Sequence, residues 1–194
     1  MMDQGNLYDV LHDVDKVIPW ATRVSLAKDL AKALKYLHDR KPVLVHCDIK
    51  SPNVLLQFTE SNTLLAKLAD FGTAVQLEEN GKIEGRFVDN PIWLAPEILK
   101  NEKYDQKVDV YAYGVICWEL ITRDDYCGHL NFLSDIEDFI LSGKRPSYPK
   151  VDTNFSDVIS ACWHAEPSKR QNWEWVLNKL GCVGDINESL LPEP

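Results

Sequence analysis

The chain has 194 residues, 45% hydrophobic and 26% charged, the make-up of an ordinary globular domain long enough to bury its own core. Lys and Arg number 21 against 30 Asp and Glu, a formal charge of −9, which argues against nucleic acid as a partner and against recruitment to anionic lipid. Five scattered cysteines without a C-x-x-C pair predict reduced thiols and a cytoplasmic setting. Met1 to Asn6 carry no basic flank or apolar run of a secretory signal, and no apolar stretch reaches the roughly 20 residues of a membrane span.

In chain order, Leu26, Leu30, Ala33, Leu34 and Leu37 recur at helical spacing, with lysines opposite, and predict an amphipathic helix from Pro19 to Leu37 that Lys41-Pro42 ends. Three short runs, Val43 to Val45, Val54 to Leu56 and Leu64 to Leu68, predict small strands forming a hairpin insert. Asp70 to Pro96 is weakly periodic and long for a loop, which marks it as a candidate switch. Helical periodicity returns over Gln106 to Thr122, Phe132 to Leu141, Phe155 to His164 and Lys169 to Leu180. Residues after Gly181 read as an acidic, mobile tail.

Chemistry-bearing residues cluster in the strand-rich stretch. His46-Cys47-Asp48-Ile49-Lys50-Ser51-Pro52-Asn53 is followed, 22 residues after Asp48, by Asp70-Phe71-Gly72. Alone, Asp48 reads as a loop cap, Asn53 as a turn former and Asp70 as a hairpin-end cap. Together they resemble the protein kinase catalytic loop, H-R-D-x-K-x-x-N, and its D-F-G motif. Ala95-Pro96-Glu97 matches the end of a kinase activation segment, and Asp109 to Gly114 the start of the central helix. Ala161-Cys162-Trp163 with Pro167 to Arg170 is similar to tyrosine-kinase-like serine/threonine kinases.

The resemblance implies a protein kinase-like fold, here a mainly α-helical C-terminal lobe with short β-hairpins over residues 1–180, with catalytic loop 46–53, activation segment 70–97 and the acidic tail 181–194. It implies ATP and Mg²⁺ as cofactors and a protein Ser/Thr hydroxyl as substrate. Asp48 would accept the hydroxyl proton, Lys50 would steady charge at the transferred phosphate, and Asn53 and Asp70 would supply oxygen to Mg²⁺. His46, Glu97, Asp109 and Arg170 take structural roles, with Glu97 and Arg170 as an ion pair and Asp109 bonding the catalytic-loop backbone.

Departures from the family pattern carry their own expectations. Cys47 replaces the arginine that receives an activation-segment phosphate, and Thr73 is the sole Ser, Thr or Tyr between Gly72 and Ala95. Activation by phosphorylation of this segment is therefore not expected; Glu78, Glu79, Glu84 and Asp89 would supply standing negative charge. Cys47 reads as a redox thiol or, more simply, as an inert one. Asn90 stands where a threonine commonly bonds the catalytic aspartate and lysine, and an amide could do the same. Only Met1 to Gln4 precede the Gly5 to Leu11 stretch that resembles the D helix, and no G-x-G-x-x-G exists, so an N-terminal lobe is expected to be absent and the 194 residues alone to turn over negligibly. An apolar patch is then expected at the upper cleft and at the Asp9 to Leu11 helix, covered by a partner or a missing segment. The alternative is a non-catalytic kinase-like scaffold.

Overall fold

The computed structural model describes residues 5–79 and 81–191; Met1 to Gln4, Asn80 and residues 192–194, on which parts of the terminal and segment expectations fall, lie outside them. Among the described residues seven α-helices and two small sheets follow in the order α1 (Leu7–His12), α2 (Trp20–His38), β1 (Val43–Val45), β2 (Val54–Phe58), β3 (Leu64–Leu68), β4 (Val75–Leu77), α3 (Pro96–Leu99), α4 (Lys107–Thr122), α5 (Leu133–Leu141), α6 (Thr153–Cys162) and α7 (Trp173–Gly181).

The centre is α4, buried on every side from Val108 to Thr122, as a helix with apolar residues all round it must be, with Asp109 and Glu119 the two acids buried in it. Gly114 lets it approach α6, since a Cβ there would stand 2.8 Å from the Trp163 nitrogen. The last carbonyls of α4 are served from outside the helix. Arg23 of α2 donates Nη1 to Leu120 and Ile121 at 3.1 and 2.9 Å, a cation at the negative end of the helix dipole. Arg123, in the left-handed region at φ 54, ends the helix and turns its guanidinium to the Leu11 and Asp13 carbonyls. These arginines join α1, α2 and α4 into one core.

β2 and β3 form the expected hairpin in the register Val54↔Leu68 to Phe58↔Leu64. β1 does not join it. It pairs antiparallel with β4, Val43↔Leu77 to Val45↔Val75, a strand inside the segment predicted to lack regular structure. That pairing brings residues 46–53 beside residues 70–74. α7 starts at Trp173 rather than Lys169, because Arg170 stays extended to reach a buried partner and Asn172 caps the helix on the Trp175 N–H.

The tail expectation is corrected over residues 182–191. Pro19 offers α2 no side-chain cap, and Glu188 supplies one from the other end of the chain, its Oε1 accepting the Trp20 N–H at 2.7 Å. The Trp20 indole donates to the Gly184 carbonyl at 3.0 Å, and Val183, Ile186 and Leu191 pack against the core. The apolar patch expected on α1 is also absent. Leu7, Val10 and Leu11 are buried, whereas Val14, Val17 and, beside His46, Phe71 are exposed.

Candidate active site

The loop after β1 is fixed from beneath. Asp109, in the first turn of α4 and 1% exposed, accepts the His46 N–H at 2.8 Å and the Cys47 N–H at 3.0 Å. His38, the last residue of α2, reaches the same carboxylate at 2.9 Å. This grip holds Cys47 at φ 64, a left-handed conformation uncommon outside glycine. His46 is wholly buried, with Nε2 3.1 Å from the Ala69 carbonyl and Nδ1 accepting the Asp48 N–H at 3.3 Å. Its ring faces that of Phe71 at 4.9 Å, so the loop and the Asp70 turn meet through these two side chains.

Asp48 follows at the floor of a cavity of about 360 Å³, walled by Lys50, Asn90, Ile92, Leu94 and Tyr126. One oxygen, Oδ2, takes Lys50 Nζ at 2.7 Å and Asn53 Nδ2 at 2.9 Å. Oδ1 has no hydrogen-bond partner among the described residues. The Asn53 amide also donates to the Asp48 carbonyl, which commits its nitrogen to the loop and leaves its oxygen as the free end. Asp70 is exposed at φ 62, one oxygen accepting the Gly72 N–H at 3.3 Å. The structure thus brings Asp48, Lys50 and Asn53 into mutual contact and sets Asp70 on the neighbouring turn.

Glu97 and Arg170 meet as a buried two-pronged pair at 2.6 and 2.7 Å. Arg170 is 2% exposed and also donates to the His164 and Lys107 carbonyls, which satisfies most of its fork. Asn90 is corrected: its oxygen accepts the Ile92 N–H at 3.1 Å in a local turn, and no bond to Asp48 or Lys50 is made. The redox reading of Cys47 gives way to the inert one. Burial, then the Asp109 charge, pushes its thiol well up, against the thiolate that reactivity needs.

The stretch between Asp70 and Glu97 is held by groups that its sequence did not single out. Arg86 donates to the Val88 and Asp89 carbonyls and to Glu137 of α5 at 2.7 Å. Ile83 exchanges backbone bonds with Tyr104, whose hydroxyl donates to the Gly85 carbonyl at 3.0 Å. Of the four acidic residues assigned standing charge, Glu84 alone forms an ion pair among the described residues, with Lys103. A second missed residue is Glu119. It is fully buried in α4, accepts from Ser51 Oγ at 3.0 Å and Trp93 Nε1 at 3.2 Å, and so links the loop after β1 to the stretch that precedes α3. Burial raises its carboxyl to about 8 against these two bonds. The signal was present in Trp118-Glu119-Leu120, an acid inside an apolar run.

Residues 1–180 match the protein tyrosine and serine/threonine kinase family. Among curated proteins, the chain is 39% identical over 91% of its length to the probable serine/threonine-protein kinase roco9 of Dictyostelium discoideum, and 38% identical over 99% to the probable serine/threonine-protein kinase pats1 of the same organism. It is 36% identical over 98% of its length to cyclic GMP-binding protein C, also of Dictyostelium discoideum. The chain spans 5%, 6% and 7% of the lengths of these relatives. A buried loop that leaves one aspartate oxygen free, a neighbouring Asp-Phe-Gly turn and a family match along nearly the whole sequence agree: this chain belongs to the protein tyrosine and serine/threonine kinase family.

Proposed function

We propose that these residues form the catalytic floor of an ATP-dependent protein serine/threonine kinase of the tyrosine-kinase-like type. The observation that carries the reading is the asymmetric Asp48 carboxylate. Lys50 and Asn53 pin one oxygen, and the other, on a residue that lines the cavity, has no partner among the described residues and could accept the proton of a hydroxyl brought against it. Geometry of this kind contributes by positioning, the main demand of phosphoryl transfer.

The donor set suits Mg²⁺ carried by a nucleotide. Among the described residues no three His, Cys, Asp or Glu side chains converge as a metal cage, whereas the Asn53 amide oxygen and the Asp70 carboxylate offer the one or two hard oxygens that Mg²⁺ takes from protein when phosphates complete its shell. Asn53 and Asp70 would hold the ion, which when bound neutralises charge on the phosphates. Lys50, 28% exposed and already at Asp48, would add a cation on the substrate side.

Serine or threonine specificity is supported by Lys50 and by the names of the similar Dictyostelium kinases. Phe71 is 46% exposed beside His46 and marks where a covering partner or segment would sit on the cleft. Five unpaired thiols support a cytoplasmic placement; among the described residues no helix is long and apolar enough to cross a membrane. Asp48→Asn tests the reading. Measured on the natural gene product, it should lower phosphate transfer from Mg-ATP to protein by about a hundredfold or more and leave the fold intact, and full activity in this variant would refute the assignment.

A further inference from the structure

We propose that Trp173 is a positioning residue for the catalytic loop, acting through the ring of His38 on Asp109; the inference rests on reading that loop as the phosphoryl-transfer site. Trp173 opens α7 and is 5% exposed, its ring set edge-on to Tyr113 with centroids 5.3 Å apart. The indole Nε1–H donates to His38 Nδ1 at 2.8 Å, and on the far side of the imidazole Nε2 lies 2.9 Å from Asp109 Oδ2. An indole can only donate. Nδ1 must therefore be the lone-pair nitrogen, and the ring proton, assigned from this network, sits on Nε2 and is given to the carboxylate.

Asp109 then collects three donors. Oδ2 takes the His38 ring and the His46 N–H, and Oδ1 takes the Cys47 N–H. The orientation of this carboxylate fixes the left-handed Cys47 and, one residue on, the aim of Asp48. Without the indole donor the imidazole could place its proton on Nδ1, turning the Nε2 lone pair toward a carboxylate and pushing Asp109 off the loop. Lys35 and Glu174 meet at 2.8 Å beside the same contact and keep α7 against α2. Helix α7 is thus tied to the catalytic loop through Trp173, His38 and Asp109, whose side chains come from α7, α2 and α4.

Nitrogen-detected NMR of the histidine side chains, with amide hydrogen exchange on the same samples, tests this on the chain as it is. In the unaltered protein His38 should be a single tautomer protonated on Nε2. In Trp173→Phe both tautomers should appear, and exchange at the His46 and Cys47 amides should quicken about tenfold, the effect of weakening roughly one hydrogen bond, while the β2–β3 hairpin exchanges as before. A proton on His38 Nδ1 in the unaltered protein overturns the proposal without any variant, which decides the matter even if Trp173→Phe fails to fold. An unchanged tautomer in a folded variant, or exchange accelerated equally across the molecule, overturns it as well. None of these readings needs turnover, so a failure of the kinase assignment would show separately, as absent phosphate transfer.

Discussion

Glu119 and Arg170 are both buried charges, yet they behave oppositely. Arg170 has its counter-ion, and removing that partner leaves a guanidinium stranded at 2% exposure. Glu97→Ala should cost about 3–5 kcal/mol in chemical denaturation, and a loss below about 1 kcal/mol would mean that the carbonyls around Arg170 suffice. Glu119 has two neutral donors and no cation, and its carboxyl is held up at about 8 against an ordinary 4.5. An acid raised in this way supports the fold fully below the lower value and loses that support as the pH climbs through the higher one. Glu119→Gln, which can still accept from Trp93 and donate to Ser51, should therefore gain on the parent protein between about pH 5 and about pH 9. A pH-independent difference between the two would contradict the buried, protonated state. The cluster of Asp48, Lys50 and Asn53 could be read from the sequence because the three lie close together on one loop, where their side chains meet; Asp70 joins that neighbourhood only through the β1–β4 pairing. Glu119 could not be read in this way, since its partners lie 68 and 26 residues away.

Among the elements, the stretch between Asp70 and Glu97 departs furthest from expectation. Its order rests on the guanidinium of Arg86 and the backbone and hydroxyl of Tyr104, with acidic side chains contributing little. Arg86→Ala should release the segment from α5, raising the rate of limited proteolysis between Lys82 and Ala95 several-fold while the helices persist; unchanged cleavage would remove Arg86 from this role. Thr73 donates its hydroxyl to the His46 carbonyl at 3.0 Å and has no free position as a phosphate acceptor. Mass spectrometry of active protein should find it unmodified, and a stoichiometric phosphate required for activity would overturn phosphate-independent ordering. Periodicity revealed α2 and alternation the β2–β3 hairpin because their patterns are local, whereas α4, buried on every side, shows in the sequence as an apolar run and has almost no periodic face. β4 was hidden, as Val75-Gln76-Leu77 becomes a strand only by pairing with β1 about thirty residues earlier. The docked tail was hidden for the same reason, its Glu188 capping a helix 168 residues upstream.

At the scale of the molecule, one buried helix organises the rest. α4 carries Asp109 under the His46 and Cys47 amides and Glu119 between Ser51 and Trp93, its last carbonyls take the guanidinium of Arg23, and its first turn receives Arg170 at the Lys107 carbonyl. Loop and segment are thus two outgrowths of a common rigid base, which suits chemistry that depends on placement. Transfer of the γ-phosphate from Mg-ATP to protein serine or threonine, measured on the natural gene product and on its Asp48→Asn and Asp70→Asn variants, tests this most directly. Transfer should be present in the parent and fall by about a hundredfold or more in each variant; transfer that survives both substitutions, or a parent protein that transfers nothing, would contradict a catalytic floor built on these residues.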